Sequence, residues 1–284
     1  MSRVDRNPVE QRDATCEKHG MFISKHLLFT GFEIWTACPS CLERIDACDK
    51  HGEFIAKHVG MGEFWERWTK CPMCEADRKR EDEECDKRRR REEFIDGLVQ
   101  AAGIPVRFYP KTLSDYKTTV EGERRALFVA NDYVEEFAAH LGVGRCLVFC
   151  GLPGTGKTHL ACAIAHGLAQ RGRSTRYLTV AELIRLIRDT WQRNYLSTTA
   201  EVLRRLRGLD LLVLDEVGVQ FGTEAELTQL TEVMDLRYRD TKPTLVISNC
   251  PIEDLKRYLG DRIVDRLMEN GGKIVVFNWL SRRV

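Results

Sequence analysis

From about residue 100 onward, short apolar runs alternate with longer stretches whose apolar residues recur every three or four positions. Cys146-Leu-Val-Phe-Cys150 reads as a strand that meets a glycine-rich turn. His159–Gln170 follows as a helix with Leu160, Ile164 and Leu168 on one face. Arg176–Val180 is predicted as a strand and Ala181–Asp189 as a helix. Leu211-Leu-Val-Leu214 is apolar throughout, as expected of a parallel strand covered on both faces. Glu224–Tyr238 reads as helix, and Thr244–Ile247 and Ile274–Phe277 as strands. Alternating strands and helices predict an α/β fold, a mostly parallel sheet sandwiched by helices.

The first 75 residues carry a different pattern, an internal repeat. Cys16-Glu-Lys-His19-Gly20 recurs as Cys48-Asp-Lys-His51-Gly52, and Phe22-Ile-Ser-Lys-His26 as Phe54-Ile-Ala-Lys-His58. Ile34-Trp35-Thr-Ala-Cys38-Pro-Ser-Cys41 recurs as Arg67-Trp68-Thr-Lys-Cys71-Pro-Met-Cys74. Each copy offers C-x-x-H and then C-x-x-C, three thiolates and one imidazole. That donor set suits a closed tetrahedral zinc site. A unit of about 30 residues buries too little apolar surface to fold unaided. Two zinc ions are expected, one for each set: Cys16, His19, Cys38 and Cys41, then Cys48, His51, Cys71 and Cys74. Spacing leaves open whether the sets pair in order or interleave. His26 and His58 follow the ligands closely and are expected to support the sites or pack.

Residues 76–99 are dense in both signs of charge, with Glu83 and Glu84 four residues before Lys87 and Arg88. This predicts an exposed helical linker. The basic run Lys87–Arg91 offers the alternative of a phosphate-binding patch. The expected organisation is therefore a duplicated zinc-binding module over 1–75, a linker over 76–99 and a nucleotide-binding domain over 100–284.

Composition changes this picture little. The 284-residue chain is 43% hydrophobic and 31% charged, with a net charge of +1, so whole-molecule charge predicts no polyanion binding. No apolar run is long enough to cross a membrane, and the N-terminus lacks the apolar core of a signal peptide. A cytoplasmic protein without a membrane partner is expected, and its 11 cysteines read as metal ligands or reduced thiols.

The chemistry is concentrated at Gly151-Leu-Pro153-Gly154-Thr155-Gly156-Lys157-Thr158, which fits G-x-x-x-x-G-K-[ST] between a strand and a helix. Its backbone N–H groups and helix N-terminus suit ATP phosphates. Lys157 is placed to reach the terminal phosphates and Thr158 to bind Mg²⁺. Asp215, after the apolar strand, is expected to hold the Mg²⁺ shell, and Glu216 to polarise the attacking water. Asn249 ends the next strand, where it either orients that water or merely forms a turn before Pro251. Arg262 and Arg266 lie four apart on one helix face, as cations for the γ-phosphate or as surface partners of Asp261 and Asp265.

Several segments together resemble the DnaC-type replicative helicase loaders, within the AAA+ ATPases. They are Ala102-Gly-Ile-Pro-Val-Arg-Phe108, Gly151–Leu160, Leu211–Gln220, Leu259-Gly-Asp-Arg-Ile-Val-Asp-Arg266 and Val276-Phe-Asn-Trp279. The resemblance covers roughly residues 100–284. It implies an adenine pocket lined from Gly103 and Ile104 to Phe108, with His159 beside the nucleotide. It implies a water-sensing role for Asn249 and a second sensor at Arg283. Arg262 and Arg266 would carry the arginine finger to a neighbouring subunit, with Arg266 favoured. A further implied element, around Arg188, Trp191, Arg193 and Tyr195, would face single-stranded DNA, although Trp191 could equally pack on the sheet. The implied function is ATP-dependent loading of a hexameric replicative helicase, with self-association through the ATPase domain. An IstB-type transposition helper, or a zinc-dependent DNA-binding adaptor with an ATP switch, are the alternatives. The zinc repeat departs from the family pattern and is expected to serve as the adaptor that grips a partner.

Overall fold

In the computed structural model the described residues are 11–29, 32–35, 38–60, 66–109, 111–192, 197–218 and 223–281. The chain divides into two compact units, Met1–Arg89 and Arg90–Val284.

The first unit holds two copies of one antiparallel meander. Strands β1 (Gln11–Cys16), β2 (Gly20–Phe29) and β3 (Phe32–Trp35) form one sheet. Strands β4 (Glu43–Cys48), β5 (Gly52–Gly60) and β6 (Glu66–Trp68) form the other. The registers repeat: Cys16 pairs with Gly20, and Cys48 with Gly52. Gly20 and Gly52 both have φ of 78°, a left-handed turn that favours glycine at the close of each C-x-x-H-G. Apolar burial is sparse. Among the described residues of the two meanders only Ser24, Cys38, Ala56 and Cys71 are buried, and two of these are thiols.

Helix α1 runs from Pro72 to Ala101, longer at both ends than the expected linker. Proline suits its first position, where no intrahelical N–H is required. Its middle is charged on all sides, and Val99 is its one buried residue.

The second unit takes in the last turns of α1, from Arg90, and continues with α2 (Glu121–Glu135) and α3 (Phe137–Val143). Then come β7 (Leu147–Gly151), α4 (Lys157–Gln170), β8 (Thr175–Thr179), α5 (Val180–Asp189) and α6 (Thr199–Gly208). The chain continues through β9 (Leu211–Asp215), α7 (Glu224–Arg239), β10 (Thr244–Ile247), α8 (Ile252–Leu259), α9 (Asp261–Met268) and β11 (Lys273–Phe277). The five strands are parallel, in the order β11-β7-β10-β9-β8. Alternate residues split the sheet between two cores. Leu147, Phe149, Leu211, Val213 and Leu245 face one with α2 and α4. Val148, Cys150, Leu212, Leu214 and Val246 face the other with α5, α6, α7, α8 and α9. The expected sandwich is present.

Element ends differ in instructive ways. Val180 belongs to α5 and not to the preceding strand, because Thr179 caps that helix by accepting from Glu182 N–H while the Glu182 carboxylate takes Thr179 N–H at 2.8 Å. The loop helix starts at Lys157, two residues before the expected His159, because Gly156 has φ of 97° and turns the chain into it. Helices α2, α3, α6 and α8 carry no equivalent in the sequence reading.

Arg237 of α7 is fully buried and ties three elements together. Its guanidinium donates to Leu206 O at 2.5 Å, Leu209 O at 3.0 Å, Pro243 O at 2.5 Å and Thr244 Oγ1 at 3.2 Å. Burial lowers its pKa to about 10, which still leaves it charged at neutral pH. Arg237→Ala is expected to destabilise the fold by about 3–5 kcal/mol, since buried carbonyls lose their donors. Urea unfolding of the purified chain measures this.

Candidate active site and metal centres

The parallel sheet brings three strand ends together. Because β10 lies between β7 and β9, the residues after it fall between the glycine-rich loop and the acidic pair. A cavity of about 500 Å³ opens there. It is lined by Pro153, Gly154, Gly156, Lys157, Thr158 and His159 from the loop, by Asp215 and Glu216, and by Asn249. Arg107, Phe108, Lys111 and Tyr116 complete its wall.

The loop is braced from beneath. Leu152 N–H donates to Phe277 O at 2.8 Å. Thr155 O accepts from both Trp279 Nε1–H at 3.0 Å and the Tyr116 hydroxyl at 3.1 Å. A side chain at Gly151, whose φ is 121°, would put its Cβ 2.3 Å from Phe277 O. The Phe277–Trp279 ending is thus the floor of the loop. Lys157 is buried, and its ammonium donates to Gly151 O at 2.9 Å and Leu152 O at 2.6 Å.

Asp215 is buried at the end of β9, and every oxygen has a donor. Oδ2 accepts from Thr158 Oγ1 at 2.9 Å and from the Tyr177 hydroxyl at 2.6 Å. Oδ1 accepts from Glu216 N–H at 2.7 Å. Burial first, and then the Asp215 charge, raise the Tyr177 pKa, so it stays a neutral donor. Glu216 has φ of 62°, unusual for a residue with a side chain. That backbone, costing on the order of 1–3 kcal/mol, turns the chain off the strand and leaves the Glu216 side chain on the cavity wall. Asn249 is held nearby: Ser248 N–H donates to Phe149 O, and Ser248 Oγ–H to Val217 O.

Other expected residues lie elsewhere. Gly103 and Ile104 are not on this wall. Ile104 packs into the core, and Gly103 sits against the Arg176 guanidinium, 3.1 Å from where a Cβ would be. Of that trio only Phe108 lines the cavity. Arg262 and Arg266 do not line it either, and they do not pair with Asp261 or Asp265. Both reach Asp235 of α7, Arg262 at 3.6 Å and Arg266 in direct contact. Arg266 also stacks 4.6 Å over the Tyr238 ring and is 20% exposed, whereas Arg262 is 74% exposed. Trp191 is 64% exposed after α5, so it does not pack on the sheet. Arg188 pairs with Glu226 at 2.8 Å. Arg193, Tyr195, Val219, Gln220, Arg283 and the side chain of His26 lie outside the described residues.

In the first unit the eight expected donors form two sets in sequence order. His19 Nδ1 lies 3.5, 3.8 and 3.3 Å from the sulfurs of Cys16, Cys38 and Cys41. His51 Nδ1 lies 3.8, 3.7 and 3.3 Å from those of Cys48, Cys71 and Cys74. A tetrahedron with Zn–S of about 2.3 Å and Zn–N of about 2.0 Å has edges of roughly 3.5–3.8 Å, so both sets fit zinc. The thiols share protons unequally. The Lys18 backbone N–H, and then Cys41, lower Cys16 to about 6, while the bond to Cys16 raises Cys41 to about 11. Cys48 and Cys74 repeat this pattern. His58 lies against Trp68 with ring centroids 5.0 Å apart and planes tilted by 58°.

A Walker-type loop, a donor-saturated aspartate and a five-stranded parallel sheet in this order define a P-loop nucleotide-binding fold of the AAA+ type. Residues 82–280 match the family described as IstB-like ATP binding protein. The chain is 37% identical over 172 residues to the replicative helicase loader DnaC of Escherichia coli K12, covering 61% of this chain and 69% of that protein. It is 31% identical over 186 residues to DnaC of Buchnera aphidicola subsp. Baizongia pistaciae, covering 66% and 74%. The crystal structure of a DnaC helicase loader superposes with a TM-score of 0.55 at 23% identity, over 61% of this chain and 99% of that one, which shows the shared fold. The chain belongs to the DnaC/IstB-like family of ATP-binding proteins. The family match begins at residue 82, after both thiol clusters.

Tyr116 and Tyr177 escaped the sequence reading, because neither lies in a motif. Only strand order puts Tyr177 beside β9, where Thr179 pairs with Asp215. Gly151→Ala is expected to abolish nucleotide binding, through its collision with Phe277 O and its positive φ. Equilibrium binding of a fluorescent ATP analogue checks this.

Proposed function

We propose that this chain is an ATP-hydrolysing loader of a hexameric replicative DNA helicase. Its 37% identity to a replicative helicase loader carries the reading. The Thr158–Asp215 contact and the exposure of Glu216 to the same cavity support hydrolysis there.

In this reading the loop N–H groups and Lys157 hold the ATP phosphates. Thr158 and Asp215 would hold Mg²⁺, which would offset the charge of the phosphates. Tyr177 keeps the Asp215 carboxylate in one orientation by donating to Oδ2. Glu216 accepts the proton of the attacking water, and Asn249 orients that water. Phe108 and His159 border the nucleotide. Arg262 and Arg266 present a cationic helix face to the ATP of a neighbouring copy, with Arg266 braced by Asp235 and Tyr238 and Arg262 projecting. ATP then reports assembly, because its site is completed only by a second subunit. Exposed Trp191 offers a stacking surface for a base of single-stranded DNA. Each thiol cluster holds one zinc ion, which supplies folding free energy of about 10–16 kcal/mol apparent. The zinc-binding unit, outside the family match, serves as the grip on the helicase.

Two outcomes are expected. Glu216→Gln should bind ATP with near-native affinity yet hydrolyse it about 10²–10⁴-fold more slowly. Single-turnover assays with and without single-stranded DNA measure this. The full chain should co-purify with a replicative hexameric helicase in ATP, and removal of residues 1–75 should end that association. A chain that ignores the helicase but stimulates a transposase would overturn the loader reading in favour of a transposition helper.

A further inference from the structure

The internal repeat provides its own control, since two clusters of the same donors sit in nearly the same strand framework. They differ behind the histidine. At the second cluster His51 turns Nδ1 to the sulfurs and Nε2 to Asp77 Oδ2, at 3.1 Å. Asp77 is held in turn by Lys50 Nζ at 2.7 Å and by Arg80. Its side chain is only 16% exposed and that of His51 only 18%. At the first cluster His19 faces its sulfurs in the same way. The residue 33 positions before Asp77, the offset between Cys41 and Cys74, is Arg44. Arg44 pairs with Asp46 at 2.8 Å and lies 4.5 Å over the Trp68 ring. Among the described residues no carboxylate reaches the outer nitrogen of His19.

The difference has a structural origin. After Cys38 the chain makes a single 3-10 turn, Pro39–Leu42, and enters β4. After Cys71 the same C-P-x-C motif opens α1 instead. Cys74 and Asp77 are therefore three apart on one face of a helix. One rigid element supplies both a ligand and the group that orients another ligand.

A carboxylate on the remote N–H of a ligating imidazole fixes the tautomer, holds the ring plane and raises the basicity of the ligating nitrogen. Given the two-zinc reading above, we infer that Asp77 is a positioning residue that makes the Cys48–His51–Cys71–Cys74 cluster the tighter of the two metal sites. The Cys16–His19–Cys38–Cys41 cluster is the exchangeable one. The expected difference is about 10–100-fold in zinc affinity, the usual effect of such a partner.

The test uses the full zinc-loaded chain and a graded chromogenic chelator. Zinc release should occur in two steps of one ion each. Mass mapping of alkylated cysteines should show Cys16, Cys38 and Cys41 labelled in the first step, and Cys48, Cys71 and Cys74 in the second. Asp77→Ala should bring the second step down to the first, and Asp77→Asn, which can still accept the hydrogen bond, should fall between. Asp86→Ala, which removes another carboxylate of α1, one paired with Arg89 at 3.0 Å, should leave two steps. Release of both ions in one step from the native chain, or earlier labelling of the second cluster, overturns the inference. So does an Asp77→Ala chain with unchanged release, or an Asp86→Ala chain that behaves like Asp77→Ala. A chain that binds no zinc sinks the two-zinc reading itself, a separately visible result.

Discussion

Asp215 ends a strand that is buried along its whole length, so its carboxylate must be satisfied from within the protein. Three donors do this: the Thr158 hydroxyl, the Tyr177 hydroxyl and the Glu216 N–H. They come from the loop helix, from the neighbouring strand and from the chain's own turn off the sheet. The arrangement of the site follows from that demand. Thr158 is drawn toward the acid, Glu216 is turned outward with a left-handed backbone, and β8 is held in register against β9. A buried acid left unpaired would cost more than any one of these contacts contributes.

The loop opposite is positioned by exclusion as much as by attraction. Gly151 runs against the Phe277 carbonyl with no space for a side chain, and Trp279 and Tyr116 share the Thr155 carbonyl. The Phe277–Trp279 segment therefore acts as the platform for a loop some 120 residues earlier, which joins two widely separated parts of the family resemblance in one contact set. The first unit works on another principle. Among the described residues of its meanders few apolar side chains are buried, and eight potential metal donors gather in two sets.

Much of this was legible in the chain itself. The loop, the acidic pair and Asn249 were readable because each sits at the end of an apolar run, and parallel strands carry their chemistry at their carboxyl ends. The eight metal donors were readable because duplication removed chance as an explanation. The residues that were not readable lie outside any periodic signal. Tyr177 and Tyr116 look like ordinary core aromatics. Ile104 looked like a pocket residue and is core. Asp235 gave no hint that it would collect both Arg262 and Arg266, because that pairing joins two helices that only packing brings together.

The sequence by itself therefore determined the elements and the donor types, since hydrophobic period and ligand spacing are local properties of the chain. Tertiary structure alone decided which donors share a cluster, which strand lies between the loop and the acid, and which groups hold Asp215 and His51 in place. Those outcomes depend on strand order and on contacts between residues far apart in the chain, such as Thr155 with Trp279 or Lys50 with Asp77. The same C-P-x-C motif shows the division most plainly. It opens a short turn in one copy and a long helix in the other, and only the helix carries a carboxylate round to the histidine.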